Sequence, residues 1–383
     1  MRTTMATENN NKTLNVPNLR FPEFSGEWKS NELHKVASLS KGTGISKDQL
    51  SDSGHPCILY GELYTKYKSE IIREVYSKTQ LDVANLVKSH TNDVIIPCSG
   101  EAAIEIATAR CVLMPEVLLG GDLNIIRLNG CHDGGFFAYQ LNGKRKVDIA
   151  KVAQGVSVVH LYGEHLKKVK VSYPSLKEQQ KISSFLALLD ERIATQIKII
   201  EKLESLIKGL CQKLTQHGNP NTTLNEALVC YSSTLQESSV QETGDYPVYG
   251  ATGVCGYTDV PEVDGDSILI IKDGASVGVT YYASGRYSAI GTLNRLVVKR
   301  GYSLRYLYYC LKVFNFAPYR TGLAIPHIYF RDYGKAKVWC PSLDEQQRIA
   351  DALSKVEQKI AIEKSLLEQL YSQKRFLLQS MFI

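Results

Sequence analysis

The 383-residue sequence contains no Pro-Pro dipeptide, no Cys-x-x-Cys pair and no Gly-x-x-x-x-Gly-Lys-Ser/Thr loop. It also has no apolar run approaching the ~18 residues of a membrane span. Each absence excludes a chemistry. Without the glycine-lysine loop there is no P-loop to cradle nucleotide phosphates; Gly250 and Gly253 bracket a turn that lacks the lysine. Without an Asp/Asn-Pro-Pro-aromatic segment there is no loop of the kind that holds a flipped adenine in a methyltransferase, and 219–221 reads as linker. No glycine-rich strand-to-helix loop suits a dinucleotide or S-adenosylmethionine. The nine cysteines (57, 98, 111, 131, 211, 230, 255, 310 and 340) are odd in number and scattered. They support neither a disulfide framework nor a zinc site and read as reduced, mostly buried thiols. No metal ligand set is expected.

What is present is an ordinary folded composition, 44% hydrophobic and 22% charged, in a chain long enough for two or three domains. The net charge of +6, from 45 basic and 39 acidic residues, is compatible with nucleic acid without requiring it. Residues 1–12 are polar, with no apolar signal core, and read as the loose end of an intracellular, cytoplasmic chain.

The dominant feature is an internal repeat. Pro174-Ser-Leu-Lys-Glu-Gln-Gln-Lys-Ile182 recurs 167 positions later as Pro341-Ser-Leu-Asp-Glu-Gln-Gln-Arg-Ile349. The same offset pairs Gly155, His160, Tyr162, Lys170 and Val171 with Gly322, His327, Tyr329, Lys337 and Val338. Downstream it pairs Leu186, Ile193 and Leu203 with Leu353, Ile360 and Leu370. Further upstream, 93–100 lies on 266–274 with a one-residue gap, and Gly121-Asp-Leu-Asn124 lies on Gly291-Thr-Leu-Asn294. Two copies of one unit predict an approximate two-fold axis and two similar binding surfaces.

Each copy carries a long helix. Ser175-x-x-Glu178 and Ser342-x-x-Glu345 read as capping boxes. Behind the first, Ile182, Leu186, Leu189, Ile193, Ile200, Leu203, Ile207, Leu210 and Leu214 follow the 3.5-residue spacing of a coiled-coil seam. Behind the second, Ile349, Leu353, Val356, Ile360, Leu367, Leu370, Leu377 and Met381 do the same, with Lys374 interrupting. Gln196 and Glu363 occupy equivalent polar gaps, read either as register-fixing seam positions or as partly exposed turns. The first helix is expected over 178–216, roughly 58 Å long, closed by His217-Gly218-Asn219-Pro220. So narrow an apolar stripe needs a partner along its length, and the repeat supplies one: an antiparallel two-helix rod acting as a spacer.

Between the helices the chain is rich in Gly, Tyr and β-branched residues, with strands expected at 94–97, 267–271 and 295–299. Segments 246–253 and 272–278 read as turns or exposed loops, and a short helix is expected near 304–314. The fold class is α+β: two domains of mixed β-sheet with short helices, separated by a long antiparallel two-helix coiled coil, as an internal pseudo-two-fold repeat. His160 and His327 recur, but no cysteine or acid recurs beside them in the matched block. No complete catalytic set is legible.

The chain resembles the specificity subunits of type I restriction-modification systems. The resemblance rests on Leu19-Arg-Phe-Pro-Glu-Phe24 with Trp28, on Gly-x-x-x-x-His at 155–160 and 322–327, and on the Pro-x-Leu-x-Glu-Gln-Gln starts at Pro174 and Pro341. The order of these features covers the chain after residue 18. It implies a flexible tail at 1–17, target recognition domains at 18–173 and 218–340, and conserved helices at 174–217 and 341–383. It further implies that each domain reads one half of a bipartite double-stranded DNA target and that the coiled coil sets the gap. Two modification subunits carrying S-adenosylmethionine would methylate adenine N6, and motor-nuclease restriction subunits using ATP and Mg would cleave. The chain itself would hold no cofactor, catalyse nothing and touch no membrane.

Base or backbone contacts are expected from loops. In the first domain these are Lys41, Tyr60, Tyr64, Ser99, Arg110 and the basic run Lys144, Arg145 and Lys146. In the second they are Tyr249, Thr252, Lys272, Ser276, Arg286, Tyr287 and Arg320. Two other classes remain open: a coiled-coil interaction scaffold that does not bind DNA, and a self-contained methyltransferase, against which the missing base-holding loop counts.

Overall fold

The computed structural model describes residues 14–155 and 157–383 and the backbone of Arg2–Thr3, which pairs with Leu19–Arg20. The tail expected over 1–17 falls largely outside the described residues. The chain forms two compact units, 1–197 with 366–383 and 198–365. The long helices, Leu176–Thr215 and Leu343–Ser380, each contribute to both.

In the first unit, buried β-branched residues build a five-stranded sheet in the order Ala37–Lys41, Leu123–Leu128, Asp93–Pro97, Arg110–Val112, Ile71–Ile72. All neighbours are antiparallel except the last pair. Residues 93–97 are buried throughout, as a strand covered on both faces must be. One face carries Val94, Ile96 and Ile126 against the short helix Gly134–Asn142, whose other side meets Leu186, Leu189 and Ile193 of the first long helix. The opposite face holds Ile95, Val112, Leu123 and Ile125 in a separate cluster with Ile58 and Leu63.

The second unit repeats this plan. Leu228–Ser232, Leu293–Val298, Ser267–Ile271 and Thr280–Ala283 form an antiparallel sheet. Its Ile268, Ile270 and Leu296 pack on the short helix Leu304–Lys312, which in turn meets Leu353 and Ile360 of the second long helix. The segment expected as turn at 246–253 is instead a hairpin: Tyr246–Gly250 pairs with Gly253–Thr258. Its strand character comes from cross-strand contacts that glycine-rich composition hides, with Val248 fully buried against Tyr287 and Leu269.

The two long helices run antiparallel within each unit. In the first, Leu186, Leu189 and Ile193 share a core with Leu370, Leu377 and Met381. In the second, Ile207 and Cys211 share one with Leu353 and Ile360, and Lys364 pairs with Glu204 at 2.7 Å. Gln196 and Glu363 are both buried, as a seam position requires. The first helix closes at Thr215. Beyond it Gly218 lies flat on Trp339, where a Cβ would sit 2.2 Å from the indole Nε1.

The capping boxes form in half. Ser175 Oγ accepts from Glu178 N at 3.5 Å, and Ser342 Oγ from Glu345 N at 3.3 Å. The Glu178 carboxylate, however, does not turn back to the cap. It takes a bidentate pair from Arg20, 2.7 and 2.8 Å, in a buried pocket. A charge-assisted fork outcompetes a single amide bond. The 19–28 motif thereby fastens to the first long helix, with Phe21 edge-on to Phe185 and Trp28 against Phe136 and Phe382.

Among the described residues no helix is long and apolar enough to cross a membrane, and no cluster of His, Cys, Asp and Glu could hold a metal ion. Cys131 is exposed, whereas burial pushes the thiols of Cys57, Cys98, Cys211 and Cys230 up to about 11.

Candidate nucleic-acid interface

The recurring Gly-x-x-x-x-His segments form the same structure twice. Gln154 and His160 exchange backbone hydrogen bonds at 2.9 and 2.7 Å, and Thr321 and His327 do so at the same two distances. Each bridge closes a tight loop that turns on a glycine, Gly155 at φ +122° and Gly322 at φ +87°. A side chain there would be strained by its dihedral alone, and its Cβ would lie 2.0 or 2.3 Å from the carbonyl of Val158 or Ile325. The loops are anchored in matching ways: Leu161 N donates to Cys98 O at 2.8 Å, and Ile328 N to Lys272 O at 2.9 Å. At their tips Val158, Leu323 and Ile325 face solvent, as do Tyr162 and Tyr329 just beyond the histidines.

The histidines share the bridge but not the partner. Ser99 Oγ lies 3.4 Å from His160 Nδ1, whereas Asp273 Oδ1 lies 2.6 Å from His327 Nδ1. An acid does reach one histidine, then, from a segment far away in sequence. Ser99 and Asp273 hold matching positions when 93–100 is laid on 266–274, and in the fold each meets the histidine of its own repeat.

Of the residues expected to touch DNA, the first unit gathers five. Tyr60, Tyr64, Ser99, Arg110 and Lys146 line a cavity of about 750 Å³ that Val158 also borders. Tyr64 OH donates to Ser99 O at 3.3 Å. A second groove of about 920 Å³ adjoins at Tyr60 and brings in Lys47 and Lys66, which pattern reading had missed for want of any motif around them. Lys41 is exposed at the end of its strand, opposite Asn124. Lys144 is exposed, while Arg145 turns away to Asp148 at 3.2 Å and Ser172 Oγ at 3.5 Å.

Arg110 differs from what its type suggests. It is buried, and its guanidinium donates to the carbonyls of Tyr67, Leu63 and Ala109. Burial pulls its pKa down despite the nearby Glu70 and Asp190. It forms the floor of the cavity.

In the second unit Lys272, Ser276 and Arg320 cluster beside the loop 322–326: Gly274 N donates to Pro326 O, and Arg320 Nη2 to Val277 O at 3.2 Å. Thr252 is exposed at the tip of the 246–258 hairpin. Arg286 is exposed too, but holds Asp264 at 3.3 Å and Tyr246 OH at 3.2 Å. Tyr287, expected on a loop, has no exposed surface; its hydroxyl meets Ser267 and its ring meets Tyr249 edge-on at 5.6 Å. Lys41, Ser99, Arg110, Tyr249, Arg286 and Tyr287 lie on strands, and Tyr64 and Lys146 on the short helices Glu62–Thr65 and Lys146–Val152, so the expectation of loops is corrected for these eight. Two half-buried arginines had no sequence signal: Arg295 stacks on Tyr231 at 4.5 Å and Arg305 on Tyr282 at 3.5 Å.

Two sheet domains repeating one loop architecture on paired long helices define an internally duplicated chain. The family model for the type I restriction modification DNA specificity domain matches residues 25–205 and 231–372. The chain belongs to that family of DNA specificity domains. It is 27% identical over 115 residues to the type I restriction enzyme EcoprrI specificity subunit of Escherichia coli, covering 30% of this chain and 29% of that one. It is 26% identical over 219 residues to a putative type I restriction enzyme MjaX specificity subunit of Methanocaldococcus jannaschii, covering 54% and 50%. The matched stretches thus span half or less of these relatives' length. Among solved structures, the type I restriction-modification S subunit from M. genitalium superposes with a TM-score of 0.66 at 19% identity, covering 96% of this chain and 99% of that one. A chain from a study of complex assembly and conformational transition of the type I R-M system gives 0.57 at 16%, covering 93% and 97%. These two likenesses speak for the fold.

Proposed function

We propose that this chain selects the DNA target of a type I restriction-modification complex. Recognition domains at 18–173 and 218–340 each read one half of a bipartite duplex sequence, and the paired helices set the number of base pairs between the halves. The observation that carries this reading is the twice-built loop, with the same bridge and glycine but different partners at His160 and His327. Equal frames with unequal side chains suit two half-sites that differ in sequence. Phosphate contacts from Lys41, Lys47, Lys272 and Arg320 position each reader, while Tyr60, Tyr64, Ser99, Lys146, Thr252 and Ser276 stand where base edges would pass.

In this reading the chain directs chemistry that others perform. Two modification subunits with S-adenosylmethionine methylate adenine N6, and motor-nuclease subunits with ATP and Mg join for cleavage. The test is methylation of a randomised duplex pool by this chain with its modification partner. Enrichment of a two-part motif with one fixed gap supports the proposal. Partner binding without DNA selection favours a scaffold, and methylation by the chain alone overturns the division of labour.

A further inference from the structure

The recurring Gln-Gln motif contains a side chain whose contacts are identical in both copies. Gln179 is wholly buried; its Nε2 donates to Pro174 O at 2.9 Å and its Oε1 accepts from Asp133 N at 3.0 Å. Gln346, also buried, donates to Pro341 O at 2.9 Å and accepts from Ser303 N at 2.9 Å. Asp133 and Ser303 are the N-caps of the two short helices, accepting from Phe136 N and Tyr306 N. The glutamine thus ties the first turn of a long helix to the start of the short helix lying between it and the sheet.

A second tie recurs beside it. Tyr139 OH donates to Asp190 Oδ2 at 2.8 Å, and Tyr309 OH donates to Glu357 Oε2 at 2.9 Å. Both tyrosines stand six residues after their cap, and both acids eleven residues after their glutamine. Apolar contact between helix and sheet resists separation but tolerates small rotations, because it has no direction. One hydrogen bond adds a pivot. Two, at separate points along the short helix, fix an angle.

We infer that Gln179 with Tyr139, and Gln346 with Tyr309, form a two-point clamp that sets the angle of each recognition domain on its long helix, making these positioning residues for spacer length. The inference rests on the proposed function above. The clamp does not touch DNA. It determines where the reading surface points, and therefore how strictly the gap between half-sites is enforced.

The experiment compares the intact chain, with its modification partner, against Gln346→Met, Tyr309→Phe and the double variant. Each is presented with duplexes that carry the selected half-sites at the native gap or one base pair longer or shorter. The clamp predicts unchanged half-sites and about tenfold weaker discrimination against the wrong gaps in the double variant, the factor that one or two neutral hydrogen bonds carry. Amide exchange should quicken over 303–312 while 267–271 stays protected. Undiminished discrimination in folded variants overturns the clamp; so does lost protection of both segments together, which would mark a merely structural role. Tyr309→Phe removes one oxygen and serves if Gln346→Met does not fold. A wild-type chain that selects no two-part motif would refute the proposed function instead, and the two failures are distinct.

Discussion

Lys374 Nζ lies 2.6 Å from Asp190 Oδ1, joining the closing turns of the second long helix to the first. The same ammonium is 2.5 Å from Glu70 Oε2, and all three groups are nearly buried. In the sequence Lys374 looks like a flaw in an apolar seam; in the fold it faces two carboxylates. Burial pushes Glu70 up, with Lys374 opposing and Asp190 reinforcing the shift. Burial also opposes the ionised form of Asp190, but the charge and hydrogen bond of Lys374, with bonds from Glu70 and Tyr139, outweigh it and hold that carboxyl low. Lys374→Met should cost about 3 to 5 kcal/mol, because it strands buried acids. Denaturant unfolding measures it, and a loss well under 1 kcal/mol would count against the triad.

The pH dependence of that triad has a definite sign. Glu70, raised, favours the fold while protonated, and its contribution is lost as pH climbs from its unfolded value of about 4.3 toward its folded one. Asp190, lowered, contributes above its unfolded value of about 3.9 and loses that as pH falls. Glu70→Gln removes the first effect, and its amide can still donate to Asp190 and keep the second. The unfolding free energy of wild type minus variant should therefore decline as pH rises above about 4.3. A difference that grows with pH over that window would contradict the arrangement.

Arg20 and Glu178 make a buried fork at the opening of the first long helix. Arg20→Ala should destabilise by about 3 kcal/mol and speed amide exchange over 176–182. Exchange over 343–349 should be unchanged. Equal effects at both helix starts would show that the tie is not local.

The loop glycines predict half-site losses. Gly322→Ala meets both a positive φ and the Ile325 carbonyl, so the loop must distort at a cost of about 1 to 3 kcal/mol. Methylation should lose selectivity for one half of the target and keep it for the other; Gly155→Ala should do the reverse. Selection sequencing of both variants decides the matter, and loss of both halves from either one would contradict two independent readers.

Surface and buried candidates should separate cleanly. Lys272→Ala and Arg320→Ala should each weaken binding to all sequences and reduce the salt slope by about one. Tyr287→Phe removes a buried hydroxyl beside Ser267 and should cost about 1 kcal/mol of stability with base preference unchanged. Anisotropy titrations at several salt concentrations distinguish the two behaviours.

The large architecture was legible because it is periodic or duplicated. The seam from Ile182 to Leu214, the strand at 267–271 and the short helix at 304–312 follow from spacing and apolar runs, and the 167-residue offset alone locates the paired loops. What stayed hidden was long-range. Nothing near Glu178 points to Arg20, 158 residues away, nor near Lys374 to Glu70. Arg110 and Tyr287 resemble surface readers by residue type, but in the fold their polar ends are used inside. The hairpin at 246–258 was hidden for the same reason, since its pairing lies across strands.

The most direct measurement concerns the helices as a ruler. Seven residues inserted in phase into both, near 197 and 365, lengthen each by about 10.5 Å, roughly three base pairs of B-DNA. Methylation-site sequencing should return the same two half-sites with the gap widened by about that amount. An unchanged gap, or altered half-sites, would contradict the account.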